Sequence, residues 1–568
     1  MLWSLGLQKD YYSHIDEYCL TLQVPLLNET TFDSIPNNTL VRYVGMVQDM
    51  FNPEYFVSEF KDSSGNWQTT RYGDIMDDFV NDSCEKQFDE RYPVFMVPIP
   101  GRTEWLSGKY NDLASSSMQE LQTVQGKSTG MKRQIDDVQM CPEEDICGKQ
   151  GQIAEAAADN SHANKKAPTN EDSKSDKPLV EKKNIPYGSC VLHLYEGIHG
   201  LKLNDVVEVM GVISRVPDLV SQAMMEEDEQ DALASRIPTS MAPRIHAISV
   251  KKLQSLLPEN MPQVQETSEV QQARSQVIDF LSSVLGGDVL AAEYLLMLLI
   301  SRVHMRIQDS DATALGSLAL NLTGAPDKSA DFVQALESAI SGLMPSLASL
   351  PLDIGLLNKK AWYPCKSQNQ CFLPDAILQL PSGSVIMLDE TAMTAGQLTE
   401  IGLKNLGAIQ NMMQHQKLPY DFQFYQLDQP TDQPILIIST GRTMLKGAGE
   451  MQIPLCPAAA PFPGKQMVSE MLIQGNPDLA RAYLATVRRV SLIIPKDLEK
   501  VIEHDMTEAR KKDAANINAE VFHQWMNLAR LFCLSHGETE MSLERWRQVM
   551  QMEGQRLQRC AAATGAKP

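Results

Sequence analysis

Five residues of this 568-residue chain have the types and spacing to handle a nucleoside triphosphate: Gly324, Lys328, Ser329, Asp389 and Glu390. Ser317 to Thr323 reads as an apolar strand, Gly324-Ala-Pro-Asp-Lys-Ser329 as a turn, and Ala330 to Ile340 as a helix. Strand, turn with Lys-Ser, then helix is the layout of a phosphate-binding loop. Further on, Ser384 to Leu388 forms an apolar strand that ends in Asp389 and Glu390. Paired acids there are what magnesium coordination and water activation require. Ser439 and Thr440 close a third apolar strand from Pro434, the position of a polar sensor in an active ATPase, although a polar strand end needs no sensing role.

The cradle is too short for its task. A phosphate-binding loop places five residues between its first Gly and its Lys, and their backbone N–H groups wrap the phosphates. Here only Ala325, Pro326 and Asp327 intervene. Two missing residues remove up to roughly 7 Å of contour. Pro326 offers no N–H, and Asp327 sets a carboxylate where a polyphosphate would lie. The reading is an ATPase-shaped core that is not an enzyme, with a vestigial pocket and no catalytic residue, cofactor or metal. Asp389 is expected to pair with Lys328, and Glu390 to face solvent or a partner's basic residue. The plain alternative is an ordinary strand-to-helix turn capped by Ser329.

These residues need a parallel sheet with helices beside it, and alternating strands and helices from Val270 to Thr440 predict one. Before it, strands are predicted at Leu40–Met50, Tyr55–Val57, Pro93–Val97, Cys190–Tyr195, Asp205–Ile213 and Arg244–Ile248, enough for an OB-like barrel of about five strands. After Trp105 and to about Asn184 the sequence is too polar to fold and reads as a disordered insertion. After Ser439 a loop is expected over Met444 to Lys465. Helices are then expected over Leu479–Arg489, Pro495–Arg510, Phe522–Ser535 and Leu543–Arg559, forming a lid. His536 beside Gly537 reads as a helix cap and not as a catalytic base. The expected divisions are an N-terminal segment 1–39, a β domain of 40–105 with 188–256, an insertion 106–187, an α/β core 257–445 and a helical lid 446–568.

A formal charge of −22 argues against a general nucleic-acid binder, since phosphate affinity comes from clustered Lys and Arg. It suits a basic or mixed protein partner. Tyr43, Tyr55, Phe56 and Phe95 could stack on single-stranded bases, but no basic groove accompanies them, so core or partner contacts are the expectation. The acidic run Glu226 to Asp231 reads as a solvated loop, or as a contact for a basic surface. Ten scattered cysteines without CxxC spacing suit a reducing compartment, cytosol or nucleus. No secretory signal pattern opens the chain, and Leu295 to Ile300 reads as core helix and not as a membrane span.

Val24 to Asn28, Pro36 to Met50, Val97 to Gly101 with Trp105, Leu203 to Ile213, Pro243 to His246, Asp288 to Leu295, Leu388 to Thr391, Ala529 to Leu531 and Ser535 to Gly537 form a co-linear series. That series resembles the minichromosome maintenance complex-binding family along nearly the whole chain. The first twenty or so residues depart from the family's usual longer amino terminus. The core also resembles the replicative helicase subunits that this family binds. Gly324-Ala-Pro-Asp-Lys-Ser329 is similar to their Gly-x-Pro-x-x-x-Lys-Ser with two positions lost. Ala376 to Glu390 and Ala408 to Gln416 are similar to the segments around their paired acids. The resemblance implies an OB-like barrel followed by a degenerate AAA+-like domain. It further implies a nuclear protein, also present in cytoplasm, that binds helicase subunits without enzymatic activity. Such a protein remodels or unloads the helicase in DNA replication, supports sister chromatid cohesion, and meets chromatin only indirectly, with no membrane contact. Two rival readings are a working ATPase with an atypical phosphate loop and a single-strand binder built on the barrel.

Overall fold

The computed structural model describes residues 24–28, 31–61, 65–73, 85–113, 185–197, 200–216, 237–257, 264, 266–307, 314–326, 330–367, 370, 372–441, 443–445, 451–458, 462–512 and 517–564. The acidic run 226–231 and most of the expected insertion lie outside these.

The amino-terminal half is built on strands β1 (Leu26–Leu27), β2 (Leu40–Met50), β3 (Glu54–Lys61), β4 (Trp67–Thr69), β5 (Lys86–Val97), β6 (Cys190–Leu194), β7 (Val206–Ser214) and β8 (Arg244–Lys252). β2 pairs with β7, β7 with β8, β8 with β6, β6 with β5, and β5 with β2 again, so five strands close into a ring. Only β6–β8 is parallel in that ring. Closure needs bent strands, and the bends are bulges at Val47/Asp49 and at Met210/Gly211. Gly211 is obligatory at the second, because a Cβ there would lie 2.4 Å from the carbonyl oxygen of His246. Val41, Tyr43, Val47, Met96, Leu192, Val209 and Ile245 are buried together in this unit. β3 and β4 carry the sheet outward beyond β5.

The second half contains a short hairpin, β9 (Met305–Arg306) with β10 (Ala314–Leu315), and a five-stranded sheet. The sheet uses β11 (Ala319–Thr323), β12 (Leu347–Pro351), β13 (Val385–Asp389), then, beyond the hairpin of β14 (Lys417–Asp421) and β15 (Gln426–Pro430), β16 (Ile435–Ser439) and β17 (Met451–Pro454). Its order is β12-β13-β16-β11-β17 and every pair is parallel. Parallel strands need crossovers, and the helices supply them. The helices are α1 (Thr267–Val284), α2 (Val289–Ile300), α3 (Ala330–Leu343), α4 (Glu400–His415), α5 (Lys465–Gln474), α6 (Pro477–Val487), α7 (Lys496–Lys512), α8 (Ala519–Ser535) and α9 (Leu543–Thr564), of which α3 and α4 lie in the connections between strands. Alternation along the strands separates two cores. Leu320, Leu322, Val385, Met387, Leu436 and Ile438 pack with α3 and its neighbours, while Ala319, Ile386, Leu388, Ile435 and Ile437 pack with α4. Asp288 caps α2 by accepting from the Ala291 amide at 3.1 Å.

Several expectations need correction. The segment expected to be disordered from 106 begins as a helix over 104–113, with Leu106 and Tyr110 buried and Trp105 Nε1 donating to the Ser341 carbonyl at 2.9 Å. The expected loop 444–465 contains β17, which pairs with β11, so the sheet runs past 445. An unforeseen helix, α5, then begins at Lys465. The hairpin of β14 and β15 turns between Asp421 and Gln426, and α4 begins at Glu400, eight residues before Ala408. The carboxy-terminal helices are more than a lid: Tyr483, Leu484, Trp525, Leu528, Phe532 and Trp546 share one buried cluster with α1, α2 and α3. No described helix is long and apolar enough by itself to cross a membrane.

Barrel and sheet meet along a polar seam. Asp49 of β2 accepts from Lys366 Nζ at 2.9 Å and from the Leu373 amide at 2.8 Å. Gln48 Nε2 donates to the Leu373 carbonyl, and Gln379 Nε2 donates to the Gln48 carbonyl.

Candidate functional site

Register brings the expected pocket to one end of the sheet. Thr323 of β11 lies beside Ser439 of β16, and Asp389 of β13 beside Ile438, so the carboxyl ends of three neighbouring strands form one ledge. β11 runs on to α3 on one face, whereas α4 covers the other. Ligands of open parallel sheets sit at such ends, where connections diverge.

Gly324 turns the chain off β11 with a φ of +78°, a conformation favoured only in glycine. The next amide does not face outward: Ala325 N–H donates to the Ser439 carbonyl at 3.2 Å, which ties the turn to the end of β16. Pro326 has no N–H. Lys328 and Ser329, with Asp327, lie outside the described residues, as does the expected Asp389–Lys328 pair.

Both acids are engaged within the fold. Asp389 Oδ1 accepts from the Thr391 amide at 2.9 Å and the Thr391 hydroxyl at 2.5 Å, capping a short 3-10 turn over Glu390–Ala392. Glu390 was expected to face solvent or a partner. Instead its Oε1 accepts from the Thr443 hydroxyl at 2.5 Å and the Met444 amide at 3.1 Å, fastening the loop that follows β16. A loop that crosses the strand ends needs an anchor, and an acid at the tip of β13 provides one.

Ser439 is buried, its Oγ 2.9 Å from Asn321 Oδ1 and 3.1 Å from the Gly441 carbonyl, while Thr440 is exposed. Ser439 thus bridges two strands. Asn321 and Thr443 are the two residues of the ledge that motif reading missed. Asn321 carries a visible signal, as the one amide in the apolar run from Leu318 to Leu322. It is fully buried, and its Nδ2 has no hydrogen-bond partner among the described residues. Thr443 has no comparable signal.

Of the four aromatics considered for base stacking, the fold leaves one on the surface. Tyr43 and Phe95 are core residues, Tyr43 donating its hydroxyl to the Gly188 carbonyl and Phe95 packing on Phe372. Phe56 lies between Tyr195 and Arg91, and Tyr55 alone is exposed, at 76%. His536 occupies the cap of α8, its backbone N–H bonded to the Cys533 carbonyl and its ring 2.9 Å from the Phe532 carbonyl. Burial, with the charge of Arg274, pushes its pKa down to about 4. Among the described residues no group of three or more His, Cys, Asp or Glu is placed to hold a metal ion.

A chain with this domain order has relatives along its whole length. It is 31% identical over 98% of its length to a mini-chromosome maintenance complex-binding protein of Arabidopsis thaliana, covering 93% of that protein. The proteins of the same name from Danio rerio and Homo sapiens are 30% and 28% identical, over 94% of this chain and 90% of each relative. The family model described as mini-chromosome maintenance replisome factor matches residues 11–560. With a match of that extent, the chain belongs to the mini-chromosome maintenance replisome factor family.

Proposed function

We propose that this chain is a non-enzymatic binding partner of the minichromosome maintenance complex, acting on the replicative helicase in DNA replication. The relatives' shared name supports the partner. The observation that carries the non-enzymatic reading is the state of the paired acids. Glu390 is committed to Thr443 and Met444 and Asp389 to Thr391, in front of a loop two residues short of a phosphate cradle. One oxygen of each carboxylate is thus already engaged by the fold, leaving less of either for water or magnesium.

The same proposal reads the sheet as a degenerate AAA+-like core, supported by the interior place of β11, between β16 and β17, and by the helix that follows its turn. It reads the barrel as OB-like, supported by the five-strand ring with one parallel pair. A subunit-like core without turnover would occupy a helicase interface and leave it inert, a route to remodelling or unloading the complex and, through it, to supporting cohesion. The protein would act in the nucleus.

The test is reconstitution. Full-length protein mixed with purified helicase subunits should co-elute on size exclusion and hydrolyse no ATP above a matched blank. Failure to bind any subunit overturns the partner, and turnover that Glu390→Gln abolishes overturns the non-enzymatic reading. DNA affinity that falls steeply with salt would favour the single-strand reading instead.

A further inference from the structure

At the opposite, amino-terminal end of the sheet, three guanidinium groups gather around one carboxylate. Asp432, just before β16, is buried, and most of its capacity is already used. Its Oδ1 accepts from the Val303 amide at 2.7 Å, and its Oδ2 accepts from Ser382 Oγ at 3.3 Å and lies 3.7 Å from Arg302 Nε. Arg488, at the end of α6, is half-buried and donates Nη2 to the Gly383 carbonyl at 3.2 Å, a neutral acceptor. Arg530 of α8 holds Nη1 buried with no hydrogen-bond partner among the described residues. Burial pushes the pKa of Arg488 down to about 10 and lowers that of Arg530. The charge of Arg302 adds to both effects and Asp432 opposes both. These cations therefore sit in a site that resists their charge and share one carboxylate, Asp432.

A cavity of about 350 Å³ opens on this cluster between β7, β8, α6 and the turns before β12 and β13. Lys252, Arg302, Arg481, Arg488 and Arg489 line it, against Asp205 and Asp432. Lys252 is paired with Asp205 at 2.7 Å and Arg481 with Asp478 at 2.8 Å. That leaves Arg302, Arg488 and Arg489 facing one acid, in a chain whose formal charge is −22. A local excess of guanidinium in an acidic protein is unfavourable without an anion to share it.

We propose that this cavity binds a small phosphate-bearing anion, held by Arg302 and Arg488 from within and by Arg489 at the rim. Guanidinium forks match the several oxygens of a phosphate better than any single carboxylate does. The volume is at the low end of small-molecule sites, roughly 300–1,000 Å³, and suits a compact ligand better than a polymer. The site is distinct from the vestigial pocket, because the five-residue strands separate the two ends by roughly 15 Å.

Inorganic pyrophosphate is the first probe, titrated into the full chain by calorimetry and thermal melting at constant ionic strength, with ATP as the second arm. Saturable binding and a raised Tm are expected. Arg488→Lys, which keeps the charge and loses the fork, should weaken binding about tenfold. Arg489→Gln, at an exposed position that leaves folding intact, should weaken it about threefold. Glu390→Gln should leave it unchanged. ATP binding no tighter than pyrophosphate assigns recognition to phosphate alone, and tighter binding that Arg488→Lys weakens assigns it to a nucleotide. A Tm rise that sodium chloride reproduces overturns the proposal. So does binding that folded Arg488→Lys and Arg489→Gln proteins retain in full, or binding lost with Glu390→Gln.

Discussion

Glu390 and Thr443 face each other across the carboxyl end of the parallel sheet, the threonine hydroxyl donating to the carboxylate at 2.5 Å. The contact makes the second acid of the pair a fastener for the loop after β16. Glu390→Ala is expected to cost about 1.5–3 kcal/mol, since it removes a charged acceptor from a hydroxyl and an amide. Thr443→Val should cost about 1 kcal/mol. Urea denaturation reads both, and ATP hydrolysis should stay at the blank in each. A Glu390→Ala protein as stable as the parent would show that the contact holds nothing.

Asp389 acts through its own turn. Asp389→Ala removes the cap on the Thr391 amide and is expected to cost about 1 kcal/mol, with Asp389→Asn recovering most of it. Equal losses in the two variants would show that charge and not capping is at work.

The seam between barrel and sheet depends on Asp49, which takes Lys366 Nζ and the Leu373 amide on one oxygen. Asp49→Ala should destabilise by about 2–4 kcal/mol, because it leaves an amide without its acceptor and a largely buried ammonium without its counter-charge. Limited proteolysis should then cut between the two units faster than in the parent. An unchanged digestion pattern would place the strength of the seam elsewhere.

The start of the polar insertion is also testable. Deleting 114–176 should leave the melting temperature within a few degrees, on composition. Leu106→Ala, in the preceding helix, should cost about 2–4 kcal/mol because the side chain is fully buried. A deletion begun at 105 should behave like the point variant and worse.

His536 sets a pH dependence with a definite sign. Its pKa is lowered from 6.5 to about 4 in the folded chain, so below pH 6.5 the unfolded chain takes up a proton that the folded one refuses. The contribution is complete above pH 6.5 and is lost as pH falls from 6.5 toward 4, amounting to roughly 3 kcal/mol. His536→Asn should flatten that part of the stability profile. An unchanged slope would assign it to other groups.

The sequence by itself determined the elements whose residues carry a local pattern. β2 runs over Leu40–Met50 as predicted, Asp288 caps its helix, and Gly537 follows α8 with a φ of +73°. Periodicity, capping and glycine punctuation are local physics, and they are legible one stretch at a time. β17 was not legible, because Met451–Pro454 is only four residues long and becomes a strand through its pairing with β11. The helix over 104–113 was hidden by the polar composition around it, and it is held by burial of Leu106 and Tyr110. At the ledge, the spacing from Gly324 to Lys328 already spoke against a phosphate cradle. Only the tertiary structure decided where the acids point. Asp389 turns to Thr391 two residues away, but Glu390 reaches Thr443, 53 residues on, through a strand pairing that no local pattern encodes. The same holds for the arginine cluster, whose members Arg302, Arg488 and Arg530 come from three segments far apart in the chain and meet around Asp432 only in the folded state. Side-chain type is a property of the sequence, whereas counter-charge is a property of neighbours, and folding supplies the neighbours.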